Sequence, residues 1–276
     1  MAIKYYKPTT SGRRHTTVVS SLDLTKKKAE KRLTVALTKH SGRNNSGQIT
    51  IRHRGGGARK LYRIVDFKQN RFDIPAEIIA MEYDPNRNAR IALVKYEDGE
   101  KSYILAWDGA KVGDKIVSSK NKLDMKKGNR LPLEHVLQGE MVYNIELEPG
   151  RGGKVARSAG TGLILQNMEG DYAQLKMPSS EIRLVRKECL ASIGQVSNVE
   201  AKLVRVGKAG RKRHMGIKPT VRGKAMNPCD HPHGGGEGRH PIGMPYQKTL
   251  WGKHALGVQT RKKKWTDKLI LQRRKK

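Results

Sequence analysis

The sequence predicts an all-β protein in which two small strand-built units follow one another between long, irregular, basic extensions. Three observations predict it. Short apolar segments recur through residues 61–200 and are cut by turn-forming clusters. The helical signal in that stretch is confined to a turn or two at Leu131–Leu137. Finally, the charge is partitioned along the chain, not spread through it.

The 276 residues carry 57 Lys and Arg against 25 Asp and Glu, a formal net charge of +32. Residues 1–60 hold 15 basic and 2 acidic side chains, residues 201–276 hold 21 and 3, and residues 61–200 hold 21 and 20. The expected organisation is therefore a basic N-terminal extension over 1–60, a first barrel over 61–125, a second over 126–200 and a basic C-terminal extension over 201–276. The flanks are poor in large apolar residues. On their own they cannot offset about 1–2 kcal/mol of backbone ordering entropy per residue, so they should order against a partner.

So strong a positive field calls for a polyanion, and cationic arms release counterions when RNA phosphates neutralise them. No stretch approaches the roughly 18 apolar residues of a spanning helix, which argues against a membrane partner. The start, Met1 to Pro8, shows no secretory leader pattern. Cys189 and Cys229 are the only cysteines and form no CxxC pair, so neither a disulfide framework nor a cysteine zinc site is expected. A reducing, cytoplasmic setting fits.

In chain order, the first unit reads as Leu61–Phe67, Ile78–Tyr83, Arg90–Tyr96, Lys101–Trp107 and Lys115–Val117, with Asp84-Pro85-Asn86-Arg87-Asn88 as a dense turn. Glu97-Asp98-Gly99-Glu100 joins the third and fourth segments as a hairpin. About five strands in this span suit a partly open barrel. The second unit reads as Met141–Leu147, Lys154–Arg157, Leu163–Met168, Tyr172–Met177, Glu181–Arg186 and Ile193–Val196. Gly150-Arg151-Gly152-Gly153, Glu169-Gly170-Asp171 and Pro178-Ser179-Ser180 punctuate it.

Two glycine-rich basic clusters carry the expected function. Arg52-His53-Arg54-Gly55-Gly56-Gly57 with Arg59 and Lys60 closes the N-terminal extension. The other runs from Arg211-Lys212-Arg213-His214 through Arg222, Lys224 and Asn227 to Asp230, His231, His233, Gly234, Gly235 and Arg239. Bare backbone lets nucleic acid come close, and Arg forks bridge phosphates or stack on bases. Arg151 and Lys154 join the candidate RNA contacts, as does Trp251 in the last tail. Asp230, His231 and His233 also admit a metal-binding or acid–base reading, the basis of an alternative as an RNA-processing enzyme. A Gly/Pro-rich chain without a third ligand at zinc spacing offers that chemistry no scaffold. The expectation is thus no catalytic residue, no metal and no cofactor. Neither a phosphate-binding P-loop nor a dinucleotide fingerprint is present.

With these residues in view, the chain resembles the bacterial ribosomal protein L-two family, the universal second protein of the large ribosomal subunit, along its whole length. Its most specific part is Pro219 to Arg239, above all Met226-Asn227-Pro228 and Asp230-His231-Pro232-His233-Gly234-Gly235-Gly236-Glu237-Gly238-Arg239, supported by Tyr83-Asp84-Pro85-Asn86-Arg87 and Arg54-Gly55-Gly56-Gly57. The resemblance implies an OB-like barrel, then an SH3-like barrel, with extensions buried in large-subunit ribosomal RNA. It implies neighbouring ribosomal proteins and the small subunit as further partners, and roles in subunit assembly, subunit association and support of the RNA peptidyl-transferase centre. His231 falls at the family position linked to that activity. His214, Met215, Cys229, Leu250 and His254 depart from the usual family pattern.

Overall fold

A computed structural model describes residues 3–238 and 240–274. The chain divides into two compact units, one built from Met1–Thr38, Arg59–Lys208 and Thr266–Lys276, the other from Lys39–Ala58 and Ala209–Trp265.

The first unit is a set of antiparallel sheets. Strands β1 (Ile3–Tyr5) and β2 (Thr17–Val19) pair around the short helix α1 (Ser11–Arg14). Strand β3 (Thr34–Ala36) pairs with β4 (Leu61–Arg63). Then β5 (Ala76–Glu82), β6 (Ile91–Tyr96), β7 (Lys101–Leu105) and β8 (Lys115–Ile116) form a four-stranded sheet in the order β7-β6-β5-β8. The β6–β7 hairpin closes where the sequence places it. Gly99 N–H donates to Tyr96 O at 2.9 Å, and Asp98 Oδ1 takes the Glu100 N–H at 3.0 Å.

Strands β9 (Arg130–Pro132), β10 (Met141–Tyr143), β11 (Leu163–Glu169), β12 (Tyr172–Lys176), β13 (Ile182–Arg186), β14 (Leu190–Ile193) and β15 (Ile270–Gln272) make the larger sheet. Its order is β15-β13-β12-β11-β10-β14-β9.

Two apolar clusters fill the unit. Ile78, Ile91, Leu93, Tyr103 and Leu105 centre the first, and Leu131, Leu133, Val142, Leu163, Leu165 and Leu175 the second. Each fully enclosed aliphatic side chain contributes about 1.5–3 kcal/mol of burial. The two sheets are tied at their junction. Ser197 N–H donates to Ala106 O at 2.9 Å, Asp108 N–H donates to Gln195 O at 2.8 Å, and the Tyr143 ring enters the first cluster.

Burial in β5 abandons strict alternation after Ile78, where the register shifts, and Ala80, Met81 and Glu82 are all buried. The N-terminal extension supplies the cover. Thr25 exchanges hydrogen bonds with Met81, its N–H donating to Met81 O at 2.9 Å and its Oγ1 accepting from Met81 N–H at 3.1 Å. Leu24 and Leu33 pack on the first cluster.

The structure departs from the sequence reading in four places. Segment 17–36 is tied to the body because Thr17, Leu24, Thr25 and Leu33 find partners there. The helical turn expected over Leu131–Leu137 is β9 followed by a single tight turn at Leu133–His135. The strand expected at Lys154–Arg157 shrinks to one bridge, Val155 with Ile145. Finally, β15 lies in the basic tail and extends the larger sheet beside β13.

The second unit is different in kind. It contains helix α2 (Ala209–His214), a tight turn at Gly223–Ala225, and isolated bridges such as Arg54 with Ile217. Both apolar clusters lie outside it, and among its described residues only His233 is buried. Its sequence holds 17 Lys and Arg against Asp230 and Glu237. Backbone hydrogen bonds, not a core, set its shape.

Candidate nucleic-acid interface

In the second unit, the fold joins two motifs that lie some 160 residues apart in the sequence. Helix α2 carries Arg211, Lys212, Arg213 and His214 and ends at Gly216. There the Gly216 N–H bonds to Arg213 O at 2.9 Å and the Ile217 N–H to Lys212 O at 3.1 Å, with Gly216 at φ +86°. That is the left-handed glycine stop of a Schellman motif. The chain leaving it runs antiparallel to the glycine cluster. Gly55 N–H donates to Gly216 O at 3.0 Å, Lys218 N–H to His53 O at 3.0 Å and Ala58 N–H to His214 O at 3.0 Å. Gly57 cannot be anything larger, because a Cβ there would sit 2.8 Å from Gly216 N and 2.9 Å from His214 O. Arg52, Arg54, Lys212, Arg213 and His214 are exposed along this two-stranded track. The Arg52 guanidinium lies 6.0 Å from the ring of Trp251, itself largely exposed.

The loop from Arg222 to Gly235 folds on itself around two imidazoles. Asn227 O accepts the N–H groups of Asp230 at 3.0 Å and His231 at 3.3 Å, and Gly235 N–H closes the loop on Met226 O at 3.0 Å. His231 packs over Gly223, where a Cβ would meet its ring at 2.5 Å. His231 Nδ1 accepts the His233 N–H at 3.0 Å, and His233 Nε2 accepts the Lys248 N–H at 3.0 Å. The rings are 5.0 Å apart and tilted. Burial, the neighbouring His231 and Lys248 together hold His233 below the ordinary imidazole pKa.

One nitrogen of each ring thus accepts a backbone N–H, and for His233 the lowered pKa agrees with that acceptor role. His233 is therefore not a standing cation. Nor does the wiring leave the pair poised as a general base or metal ligand set. Arg222, Lys224, Asn227 and Asp230 remain exposed on this loop, and Gly234 is half-buried. Arg239 lies outside the described residues.

In the first unit, Arg59 and Lys60 lead into β4, and Arg151 and Lys154 stand exposed on the loop after β10. Arg151 and Lys154 line an open groove of about 750 Å³ with Phe67, Lys68 and Arg157. Lys154 and Arg157 continue into a second groove of about 970 Å³, lined also by Tyr62, Phe67, Arg87, Arg183 and Lys202, with no carboxylate among its lining residues. Two guanidinium groups lie over the Phe67 ring, Arg157 at 4.4 Å and Arg87 at 5.4 Å from its centre. Asp84, wholly buried, aims Arg87. Its Oδ2 takes the Arg87 Nε–H at 2.7 Å while Oδ1 takes the Asn86 N–H at 2.8 Å. The turn motif Asp84-Pro85-Asn86-Arg87 is therefore a device for presenting one guanidinium.

The sequence reading missed Tyr62, Phe67, Arg87, Arg157, Arg183 and Lys202. The signal available was Arg87 inside its turn. Buried Cys189 offers no reactive thiolate, since burial pushes its thiol up to about 12.

Cation–aromatic stacks in an open groove and a bare cationic backbone track define a class, the structural RNA-binding protein built on small β-sheets. Two family models match the chain. Ribosomal Proteins L2, RNA binding N-terminal domain, matches residues 30–118, and Ribosomal Proteins L2, C-terminal domain, matches residues 126–252. Together they span more than three quarters of the sequence, and the chain belongs to the ribosomal protein L2 family. Its fold is accordingly an OB-like barrel followed by an SH3-like one, and its role is structural and RNA-binding, in the large subunit of the cytoplasmic ribosome.

Proposed function

We propose that the chain grips large-subunit ribosomal RNA on two separate surfaces, and that through them it supports subunit assembly, contact with the small subunit and the architecture of the peptidyl-transferase centre. The observation that carries this reading is the Phe67 stack, with Arg157 and Arg87 on the same ring in a groove whose lining holds five cations and no acid. A guanidinium has five N–H donors, so Arg87 and Arg157, each using one of them toward Asp84 Oδ2 or Gly153 O, keep others for phosphate oxygens. Arg151 and Lys154 extend this surface, and Arg59 and Lys60, just before β4, add phosphate contacts in this reading.

On the second unit, the track of Arg52, His53, Arg54, Gly55, Gly56, Gly57, Arg211, Lys212, Arg213 and His214 follows the RNA backbone. The loop of Arg222, Lys224, Asn227, Asp230, His231, His233, Gly234, Gly235 and Arg239, with Trp251, shapes the RNA it touches. His231 acts by holding that loop, not by moving protons. In this reading the basic extensions, 1–60 and 201–276, flank the barrels over 61–125 and 126–200 and carry most of the phosphate contacts.

The test is binding of the full-length protein to transcribed large-subunit ribosomal RNA across a salt series. The affinity should fall steeply with salt, and Arg87→Ala or Arg157→Ala should each weaken it by about tenfold. An affinity indifferent to salt, or to both substitutions, defeats the reading. Co-sedimentation of the protein with large subunits checks the assembly role.

A further inference from the structure

The least expected pair in the first unit is Arg130 with Glu146. Arg130 lies in β9, wholly enclosed, and Glu146 follows β10 at 1% exposure. The Arg130 Nη2 group reaches Glu146 Oε1 at 3.2 Å, and Nη1 donates to Asn144 O at 2.7 Å. Burial lowers the Arg130 pKa, and the Glu146 carboxylate opposes that. Taking both ions out of water is expensive, and such a pair is poor evidence for stability in itself. What this pair supplies is a fixed carboxylate deep in the body.

That carboxylate is used four times. Oε1 also accepts the Gly152 N–H at 3.0 Å, while Oε2 accepts Gly150 N–H at 3.0 Å and Leu190 N–H at 3.3 Å. Leu190 opens β14, so the irregular loop over 148–153 is pinned to the larger sheet through one side chain. The loop then grips the other sheet's flank. Gly153 N–H donates to Phe67 O at 2.9 Å, and Arg157 Nη1 donates back to Gly153 O at 3.2 Å while its guanidinium lies on the Phe67 ring. Arg151 and Lys154 emerge from either side of these two contacts into the groove.

We infer that Glu146, locked by Arg130, is the positioning residue of the groove: it presets the 150–154 loop so that Arg151, Lys154 and the Arg157–Phe67 stack meet the RNA already in place. This rests on the groove being an RNA surface, as proposed above. An irregular cationic loop left free would have to be ordered at the moment of binding, and preorganisation removes that cost.

The experiment compares full-length wild type, Glu146→Gln, Glu146→Asp and the double variant Arg151→Ala/Lys154→Ala for binding to transcribed large-subunit ribosomal RNA over a salt series. Amide hydrogen exchange is followed in the free proteins. Wild type should protect Gly150, Gly152 and Leu190 together, and Glu146→Gln, whose one amide oxygen stays with Arg130 and Gly152 while its NH2 group faces the other two N–H donors, should release Gly150 and Leu190. Losing two phosphate contacts should flatten the salt slope of the double variant by about 1.4–1.8 and weaken binding about tenfold at ~0.15 M salt. Glu146→Gln should reproduce both changes, and adding it to the double variant should change little more. Simple loss of stability moves neither the slope nor that non-additivity.

Glu146→Asp keeps a charge against Arg130 but is a methylene too short to serve both glycines. It is read by the same criteria and decides if the Gln variant does not fold. Wild-type affinity and slope in a folded Glu146 variant overturns the inference while leaving the groove standing, as do losses that add fully to those of the double variant. So does fast exchange at Gly150 and Gly152 in wild type. If Arg151→Ala/Lys154→Ala itself binds like wild type, the groove reading falls and takes this one with it.

Discussion

Tyr103→Phe removes one oxygen from the edge strand β7 of the four-stranded sheet, and the structure says what that oxygen does. The side chain is fully buried in β7. Its hydroxyl donates to Glu82 Oε2 at 2.8 Å and accepts the Glu30 N–H at 3.0 Å, so it clasps the N-terminal segment to the sheet through a buried carboxylate. The phenylalanine ring fills the same space, so packing is kept and only the clasp is lost. Glu82, 4% exposed and already without a hydrogen bond at Oε1, would lose its donor at Oε2 as well.

Stranding a buried charged acceptor costs about 2–3 kcal/mol, and the half-buried Glu30 amide adds up to about 1 kcal/mol. For a unit of roughly 200 residues, a total of about 2–4 kcal/mol corresponds to a fall in Tm of about 5–15 °C. Thermal and urea denaturation followed by circular dichroism at neutral pH measure it. Limited proteolysis should at the same time cut faster within residues 20–38, whose anchor is gone. A Tyr103→Phe variant that melts within about 2 °C of wild type and resists protease equally would refute the reasoning.

Three further outcomes follow from the same geometry. Burial raises the Glu82 pKa above its ordinary value of 4.5, so the fold binds that proton more tightly than the unfolded chain does. The associated stability is complete below 4.5 and is lost as pH rises through the raised value. Glu82→Gln, which keeps an acceptor for Tyr103, should flatten that part of the stability–pH curve, and an unchanged curve counts against the assignment. His233 is shifted the other way, below 6.5. Its acceptor role toward Lys248 is intact above 6.5 and is lost as pH falls through the depressed value, so the Lys248 amide should lose exchange protection on acidification. A His233 that titrates at or above 6.5 by NMR removes the basis for this. Gly223→Ala should drive the His231 ring off its seat and speed exchange at the His233 amide by about tenfold or more. Unchanged exchange there would show the close approach to be dispensable.

The strands most legible in the sequence are those whose information is local. Ile91–Tyr96 and Lys101–Leu105 combine apolar β-formers with a Gly99 hairpin, and the structure keeps both almost to the residue. Strand β9 was not legible, because Arg130 reads as a surface residue until Glu146 is seen opposite it. Strand β15 hides in a basic tail, and only its pairing with β13 makes Ile270–Gln272 a strand.

The glycine clusters were visible as cationic, glycine-spaced runs. Their antiparallel pairing was not, since nothing near Gly55 in sequence announces Gly216. The groove shows the same limit. Phe67, Arg87 and Arg157 are individually unremarkable and acquire meaning from a stack formed across some 90 residues. The histidines were conspicuous, but the acceptor role of His233 depends on Lys248, which composition cannot connect to it.

The return of β15 to the larger sheet has a topological consequence. Residues 209–265 are secured at both ends to the same body, at β14 with its following turn on one side and at β15 on the other, which makes them a closed bight and not a loose end. A loose end can be poked through a finished aperture, whereas a bight must have its surroundings wound about it. Nucleic acid that encircles this segment therefore has to close after the protein has docked, or else β15 must first unzip. Three residues of edge pairing make that latch short enough to open.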